Sequence, residues 1–430
     1  MQADRVRIRR PTPPRPARRA LPLLARLLLG LLLLGLLPLG LAPDAHAQPV
    51  PLAEPVSPGA ARAAALPTLI TVRYGEGVTF RSERSPMTVN LRVRAQLRFT
   101  QLQELDEAAA HAEEMQIRRA RVLVRGRMFR DDLDYYVQLG FSNLDMEPDR
   151  PVPLRDARIT WRAHRDLALR VGQMKVPFAL QRRTSSGYQQ FVDRSLTTGE
   201  FNLDRDVGAV LRSDDLFGFG GRLGYELGIF GGDGRNRTSD APGVLWVARA
   251  VVRPFGGFLE TSEADHERSL RPKLAIGAAV AHNDNTRRAR STFTNLYAFS
   301  RFDYDHAEVD VQLKWRGFSL VAEWMARRAD RAVATDPDDA SREEFSRSGW
   351  GWYAQAAYLF LPTWELGGRY ATVQPMGADR SNLVQASEAG GVLSWYLREH
   401  DFKVPLDAFH VRSEGKTDAL RVRVQTQMWF

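Results

Sequence analysis

The chain has 430 residues, enough for one large barrel or two ordinary domains. It contains no cysteine, which excludes a disulfide scaffold, a cysteine-based metal site and a thiol nucleophile. The net charge is +9, but residues 1–47 hold eight arginines against two aspartates, a contribution of +6 that leaves only +3 for the rest. We therefore expect no nucleic-acid partner.

Residues 1–47 have the organisation of a secretory signal peptide. An arginine-rich start is followed by the apolar run Leu27–Leu41, and Ala45–Ala47 supplies the small residues of a cleavage site. The apolar run is too short to span a bilayer. Residues 48–68 form a lead-in rich in proline and alanine, so the folded domain is expected at residues 69–430.

From residue 86 onward, apolar and polar residues alternate with the period of two that is typical of strands. Leu91 and Val93 share one face of the first run, for example, and Arg92 and Arg94 share the other. Residues 69–81 are expected to form a short strand or a hairpin arm outside the barrel. The sequence predicts sixteen strands, at 86–101, 115–130, 132–143, 152–163, 165–172, 206–214, 219–231, 243–253, 269–283, 301–316, 317–329, 348–361, 362–373, 385–398, 401–413 and 418–430.

The charged second face of these strands decides the fold class. An outer-membrane barrel turns apolar residues toward lipid and polar residues toward a wet lumen, whereas a soluble sheet could not cover so many charges. We predict an all-β, 16-stranded antiparallel transmembrane β-barrel. Short turns and longer loops alternate between the strands, as expected of periplasmic turns and outer loops. The long supposed turn 254–268 and the short last outer loop Glu414–Thr417 are the two exceptions.

The longest connection, about residues 173–205, falls on the outer side between the fifth and sixth strands. It combines basic side chains with the turn Thr184–Gly187 and several aromatic residues, a mixture that argues against disorder. We expect this segment to fold inward as a constriction loop and to present cationic and hydroxyl groups to an anion.

The chain ends on a strand whose last residue is Phe430. A terminal aromatic residue on such a strand resembles the signal that the outer-membrane barrel assembly machinery reads. Together with the signal peptide, it predicts export to the outer membrane of a Gram-negative bacterium. Several outer loops are acidic. Exposure to solvent is the default explanation for these acidic residues, and divalent cations that bridge them to lipopolysaccharide are a second explanation.

Many arginines lie on the face that would line the lumen. Arginine stays charged and meets two oxygens of an anion at once, so ladders of arginine suit an anion pore. The alternative is that these side chains only solvate the wall, paired with acids such as Asp156 and Glu308. The pore-lining candidates are Arg92, Arg94, Arg98, Arg119, Arg121, Arg125, Arg158 and Arg170.

One region resembles the phosphate-selective porins O and P of bacterial outer membranes. The matching segments are Leu169–Phe178, Thr184–Ser186, Asp193–Ser195 and Arg205–Gly208, supported by the basic strand Ile117–Arg121. The resemblance implies a homotrimer of sixteen-stranded barrels, each narrowed by its third outer loop. It also implies passive uptake of an anion, either phosphate or polyphosphate.

The resemblance further implies an anion site. A basic pair on an early strand faces adjacent serines and a downstream arginine in phosphate-specific members, and a nearby acid such as Asp156 could prevent irreversible binding. A β-bulge is required for the adjacent basic pair to share the lumen. The serines could instead form a helix cap or turn. The roles fall to Arg118, Arg119, Ser185, Ser186 and Arg194, with Arg182 in place of a lysine.

Three other functions compete with an anion-selective porin. A weakly selective general porin for small hydrophilic solutes has the same fold. A barrel enzyme such as a lipase or protease is less favoured, since the chain has no G-x-S-x-G and no H-E-x-x-H motif. An adhesin or structural barrel would have a plugged lumen and larger outer loops. We expect no enzymatic activity, no cofactor and no metal site.

Overall fold

The computed structural model describes residues 68–83, 85–106, 111–147, 151–237, 243–377 and 382–430. The predicted signal peptide and nearly all of the lead-in lie outside these residues. Within them, no helix combines the length and apolar character that a membrane crossing requires.

Eighteen strands of the described residues form one antiparallel sheet, and sixteen of them, β3–β13 and β16–β20, close into a ring. The first strands are β1 (Thr68–Arg73), β2 (Gly77–Ser82), β3 (Thr88–Glu104), β4 (His111–Met128), β5 (Arg130–Gly140), β6 (Leu154–His164), β7 (Leu167–Lys175), β8 (Arg205–Ser213), β9 (Leu223–Phe230) and β10 (Leu245–Val252). The others are β11 (Lys273–Thr286), β12 (Phe302–Trp315), β13 (Phe318–Ala329), β14 (Val333–Thr335), β15 (Glu343–Phe345), β16 (Gly349–Leu361), β17 (Trp364–Pro375), β18 (Ala386–Arg398), β19 (Phe402–Ser413) and β20 (Ala419–Trp429). Strands β14 and β15 form a separate outer hairpin.

The predicted sixteen-stranded barrel is confirmed, and every predicted run forms a strand with bounds within four residues of those expected. Alternation explains this success. In β3, Leu91, Val93 and Leu97 are 37–48% exposed, whereas the side chains of Arg94 and Gln96 are fully buried. This is the reverse of a soluble protein, and it suits a wall between lipid and a polar interior.

The ring closes between β20 and β3, from Ala419 opposite Glu104 to Trp429 opposite Arg94. Below that point β2 takes the place of β20 and pairs with β3 between Thr88 and Leu91. The β1–β2 hairpin therefore continues the sheet at the periplasmic rim without entering the sixteen-stranded ring.

Two of the register shifts on the wall formed by strands β3–β9, called here the basic wall, are single-residue β-bulges. Gln96 pairs with Arg119 and Leu97 with Ile117, so Arg118 is the extra residue of the first bulge. A similar shift between β5 and β6 leaves Arg155 as the extra residue of the second. A bulge lets two consecutive side chains face the same side. The bulge expected beside Arg119 is present.

Residues 176–204, called here the inner loop, cross the inside of the barrel. The loop contains two short helices, α1 (Leu180–Arg183) and α2 (Leu196–Phe201). Its apolar side chains Phe178, Phe201 and Leu203 are fully buried and form the main apolar cluster, with residues of β7–β11, β13 and β17. Burial of about 150 Å² or more for each aromatic ring makes this packing the main force that holds the loop.

The wall formed by strands β12–β19, called here the sealed wall, binds the inner loop through buried carboxylates. Each accepts a hydrogen bond from a loop backbone N–H, a group that would otherwise be buried without a partner. Glu323 accepts from Gln181 at 3.1 Å and Asp407 accepts from Val192 at 3.1 Å.

The connection between β10 and β11, residues 253–272, is called here the long turn. It folds back into the barrel beneath the inner loop, which explains the exceptional length noted in the sequence. The Glu263 carboxylate accepts from the backbone N–H of Gln190 at 2.8 Å, and the Glu263 N–H donates to the Tyr188 carbonyl at 3.0 Å. The inner loop is thus fixed from the periplasmic side as well as from the sealed wall.

Candidate functional site

Two large cavities lie along the basic wall, one on the outer side and one on the periplasmic side of the inner loop. The outer cavity has a volume of about 610 Å³ and the periplasmic cavity about 950 Å³. Among the described residues, none lines both cavities. On strand β4, Arg121 lines the outer cavity, Arg125 lines the periplasmic cavity, and the buried Leu123 separates them.

The outer cavity is strongly basic. Three acidic residues line it, Asp145, Glu147 and Asp204. Against them stand eleven basic residues: Arg118, Arg119, Arg121, Arg155, Lys175, Arg182, Arg194, Arg205, Arg235, Arg237 and Arg288. A concave site lined mainly by one sign of charge raises the local concentration of counter-ions.

The periplasmic cavity is basic to a smaller degree. Seven arginines and four acidic residues line it. Within it, Arg158 lies over the ring of Tyr136 at 4.4 Å, and the Arg170 side chain donates to the Thr160 hydroxyl at 3.2 Å. Some of the other arginines are paired with carboxylates, as Arg162 is with Asp134. The positive charge of the basic wall therefore continues from the outer side to the periplasmic side.

Ser185 and Ser186 lie where the inner loop approaches the basic wall. Arg94 donates to the Ser185 hydroxyl at 3.2 Å and to the Ser186 hydroxyl at 3.0 Å, and Arg121 approaches Ser186 at 3.4 Å. The next residue is Gly187, where a Cβ would lie 2.5 Å from the Arg94 guanidinium. A glycine is needed here because the loop backbone packs directly against that side chain.

These contacts fix the direction in which the serine hydroxyls can act. A hydroxyl has one donor and two acceptor sites. Ser186 uses its acceptor sites for Arg94 and Arg121, so its own O–H hydrogen is left to donate to another group. A hydroxyl that accepts from guanidinium groups is also a stronger donor, because hydrogen bonds in a chain polarise one another.

Arg118 and Arg119 both face the inner loop and both bind its Asp193. The distances are 3.3 Å and 3.4 Å, and Arg98 binds the same carboxylate at 2.9 Å. Burial alone would raise the pKa of Asp193, but the guanidiniums of Arg98, Arg119 and Arg118 hold that pKa well below its ordinary value. The carboxylate is therefore charged, and it neutralises part of the basic pair.

Arg194 and Lys175 converge on the backbone of the inner loop. Arg194 donates to the carbonyls of Gln181 at 3.0 Å and Thr184 at 2.8 Å, and Lys175 donates to the carbonyl of Arg183 at 2.9 Å. Burial and the neighbouring Arg182 lower the pKa of Arg194 to about 9, so the guanidinium is still charged at neutral pH. These carbonyls are neutral, so among the described residues the Arg194 guanidinium has no direct ion pair.

The sequence pattern described as "Phosphate-selective porin O and P" matches residues 89–430 of the chain. The match covers the whole barrel except the first residue of β3 and the hairpin before it. The chain belongs to the phosphate-selective porin O and P family.

Solved porins share the fold at low sequence identity. OmpF of Salmonella typhi, in complex with daunomycin, has a TM-score of 0.52 at 14% identity over 80% of this chain and 98% of that one. The outer membrane channel DcaP of Acinetobacter baumannii has a TM-score of 0.51 at 11% identity, over 83% of this chain and 100% of that one. A loop-deletion mutant of OmpT of Vibrio cholerae gives 0.51 at 10% identity, over 80% of this chain and 99% of that one. No match was found among curated proteins.

Family and fold together identify the protein as an outer-membrane channel of a Gram-negative bacterium. The polar interior and the apolar outer surface described above are what such a channel requires. The family and the fold therefore indicate that the protein is a channel.

The predicted anion-site residues of the porin lie in two places, some at the outer cavity and some below it. Arg118, Arg119, Arg182 and Arg194 line the outer cavity. Ser185 and Ser186 contact Arg94 below that cavity, within a turn. This turn is not a helix cap, since the N-cap of α2 is Ser195.

The predicted pore-lining arginines of the porin divide into three groups. Arg121 lines the outer cavity, and Arg125, Arg158 and Arg170 line the periplasmic cavity. Arg92 and Arg94 pack on the ring of Trp429 at 4.2 Å and 4.7 Å, while Arg98 binds Asp193. The last three are buried and line neither large cavity. They fix the inner loop and the seam of the barrel.

Several residues that define the porin's outer cavity were not among the predicted site residues. Arg155 was missed because regular alternation beside Asp156 turns it toward lipid, and only the bulge brings it inside. Arg205 binds Asp156 at 3.0 Å; it was placed at the end of the predicted constriction loop and in a matched family segment, but no site role was assigned to it. Arg235, Arg237 and Arg288 come from outer loops and share Glu147. Loop arginines carry no periodic signal that would mark them.

Within the described residues of the porin, no group of three or more histidine, aspartate or glutamate side chains is arranged to hold a metal ion. The three acidic residues of the outer cavity are paired with arginine. Asp145, for example, accepts from Arg121 at 2.8 Å and lies 3.3 Å from Arg155.

Proposed function

We propose that this porin is a passive diffusion channel that prefers anions, and phosphate or polyphosphate among them. The excess of basic over acidic residues around the outer cavity is the observation that carries the proposal. Rings of arginine and lysine attract anions and repel cations in pores. The smaller excess around the periplasmic cavity continues the favourable potential along the same wall.

The preference for phosphate is supported by the chemistry near the inner loop. A phosphate ion presents several acceptor oxygens, which suit guanidinium groups and hydroxyl donors. Arg121 and Arg194 line the outer cavity, and the free donor of Ser186 lies beside Arg121. Chloride can use the charge of this cluster but has no oxygen geometry to match.

A weakly selective general porin is the alternative, and one observation favours it. Carboxylates neutralise much of the basic wall: Asp193 binds three arginines, and Glu147 binds three more. If these pairs cancel most of the field, small hydrophilic solutes would pass with little discrimination.

Conductance of the full chain in planar lipid bilayers separates the two. We expect the reversal potential in a potassium chloride gradient to show anion preference, because positive charge dominates both cavities. We also expect added inorganic phosphate to block the chloride current at low millimolar concentration or below. Anion preference without phosphate block would leave the general porin as the better description, and cation preference would contradict both.

We also propose three kinds of partner for this porin: further copies of the chain, outer-membrane lipids and the barrel assembly machinery. The family resemblance supports a homotrimer, and the apolar exposed face of the strands supports contact with lipid and lipopolysaccharide. Phe430 is half exposed and its backbone pairs with Val93 at 3.1 Å and 2.8 Å, which supports its role as the signal for the barrel assembly machinery. Export through the predicted signal peptide stays a prediction.

A further inference from the structure

The outer cavity has an apolar side as well as a basic one. Leu144 and Met146 line it from the loop between β5 and β6, and Phe293 and Leu296 line it from the loop between β11 and β12. Leu144 is 51% exposed and Leu296 is 40% exposed. Inorganic phosphate gains nothing from such side chains, since it has no apolar surface to bury.

The two loops that carry these residues are tied together. Arg288, on the second loop, donates to Glu147, on the first, at 2.9 Å. Arg237 binds the same carboxylate at 2.7 Å. Burial alone would raise the pKa of Glu147, but Arg288 and Arg237 lower it, so the tie is charged at neutral pH. The apolar side chains therefore lie on two loops that ion pairs hold together, and they form one side of the cavity.

The size of the cavity also exceeds the needs of a small inorganic ion. Its volume of about 610 Å³ lies within the range of roughly 300–1,000 Å³ that is typical of sites for drug-sized ligands. Such sites are mostly apolar with a few polar groups that fix orientation. Here basic groups of the barrel wall and inner loop form one part, and the two outer loops add the apolar part.

We propose that the outer cavity is a binding site for organic phosphates, in which guanidinium groups hold the phosphate and Leu144, Met146, Phe293 and Leu296 hold an attached apolar group. This inference rests on the proposed anion channel and specifies its substrate class. The phosphate would meet Arg118, Arg121 and Arg194 at the inner end of the cavity, and the ester group would lie toward the outer loops. A compact apolar or aromatic group fits better than a second charged group, because the three arginines that the outer loops contribute are already bound to Glu147.

The test compares two esters of equal charge, phenyl phosphate and methyl phosphate, as blockers of the chloride current of the full chain in planar bilayers. We expect phenyl phosphate to block at about tenfold lower concentration, the factor that corresponds to burying about 55 Å² of apolar surface. Replacing both Phe293→Ser and Leu296→Ser should bring the ratio of the two half-blocking concentrations below about threefold. Methyl phosphate block should change little, since no basic residue is altered.

Two further variants make the result specific. Met146→Gln, on the other loop, should reduce the same ratio. Leu105→Ser is the matched control, because Leu105 is 54% exposed on an outer loop and does not line the cavity. This control should leave the ratio at about tenfold. Chloride conductance without phosphate shows whether each variant still forms the channel.

Four other outcomes would each contradict part of the proposal. Equal block by the two esters in the parent chain would overturn the organic phosphate site while leaving the anion channel intact. A tenfold ratio that persists in all apolar-to-polar variants would also overturn it. Failure of inorganic phosphate and of both esters to block would contradict the proposed phosphate preference itself. Block by phenol, a neutral aromatic probe, as strong as that by phenyl phosphate would show that the phosphate group is not recognised.

Discussion

The basic wall and the sealed wall of this porin carry charge in opposite ways. On the basic wall, arginines line two cavities. The partners of several of these arginines are hydroxyl groups, aromatic rings or carbonyl groups and not carboxylates. On the sealed wall, carboxylates such as Glu323 and Asp407 are buried and each accepts a backbone N–H of the inner loop. Similar alternating strands therefore serve two purposes, since one wall lines two cavities and the other fixes the loop that lies between them.

The difference follows from where the inner loop packs. An unpaired charge in a dry interior costs several kcal/mol, so the carboxylates of the sealed wall are tolerated only because the loop and neighbouring arginines pair with them. Arg423, for instance, binds Asp407 through two contacts of 2.8 Å. On the basic wall the cavities provide water, and guanidinium groups can stay charged without carboxylate partners.

The largest expected effect compares an arginine that lines the outer cavity with one that lines neither large cavity. Arg194→Ala should weaken phosphate block by about ten- to a hundredfold, the equivalent of losing one charge-assisted hydrogen bond. Arg421→Ala should change it little, because Arg421 binds Glu388 at 2.7 Å and lines neither large cavity. The measurement is the half-blocking phosphate concentration for chloride current. Equal losses in both variants would show that the position of an arginine at the outer cavity does not govern anion binding.

Arg194 also binds two loop carbonyls, so its replacement could act through the position of the loop. Arg194→Lys keeps the charge and one donor group. Partial recovery of phosphate block in this variant would assign the effect to charge near the cavity, whereas no recovery would assign it to the fixed geometry of the guanidinium.

A smaller effect in the opposite direction is expected at Asp193. Asp193→Asn removes the negative charge that neutralises Arg98, Arg118 and Arg119, so phosphate block should tighten by about tenfold. Asp206→Asn is a suitable control, since Asp206 is buried but accepts from the backbone N–H of Val207 and Gly232 and lines neither large cavity. Unchanged block in Asp193→Asn would mean that the basic pair does not reach the anion.

The smallest expected effect is the dependence of the stability of the long turn on pH. Burial, with Lys403 and Lys314 nearby, lowers the pKa of His266 in the long turn from 6.5 to about 3. The unfolded turn takes up a proton more readily than the folded one between these values. The contribution of His266 to stability is therefore complete above pH 6.5 and decreases as the pH falls toward 3.

Hydrogen exchange of residues 253–272, corrected for the intrinsic effect of pH on exchange, would detect this change. We expect protection of the long turn to decrease between pH 7.5 and pH 5, while the strands of the basic wall keep theirs. His266 packs against Tyr396 and His400 at 4.5 Å and 4.8 Å between ring centres. His266→Phe keeps an aromatic ring there and should remove most of the pH dependence. Equal loss of protection in both proteins would assign it to His400 or to another group.

The sequence was most informative where regular alternation is physically enforced. A residue such as Leu91 or Val93 must face lipid, and Arg94 must not, so the strands and their order could be predicted residue by residue. The bulge beside Arg119 was also predictable, because two adjacent basic residues cannot share one face of a regular strand. The family motifs gave the place of the inner loop but not its contacts.

The candidate site was less predictable because its members are chosen by packing. Nothing local indicates that Asp193 binds the basic pair, that Arg98 serves this carboxylate and not the lumen, or that the long turn reaches Gln190. These contacts join residues more than 70 positions apart. Loop arginines such as Arg288 follow no period, so their place at the outer cavity was invisible in the sequence.

The sequence by itself determined the ring of sixteen strands, because a bilayer leaves a strand only one way to orient its polar side chains. Tertiary structure alone decided which charges line a cavity and which are buried in pairs. That choice depends on how the inner loop and the long turn fill the barrel, and thus on apolar packing and on carboxylates that accept backbone N–H groups across the lumen. Arg94 and Arg121 face inward from paired positions on neighbouring strands, yet only Arg121 lines the outer cavity. The inner loop, packed against Arg94, makes the difference.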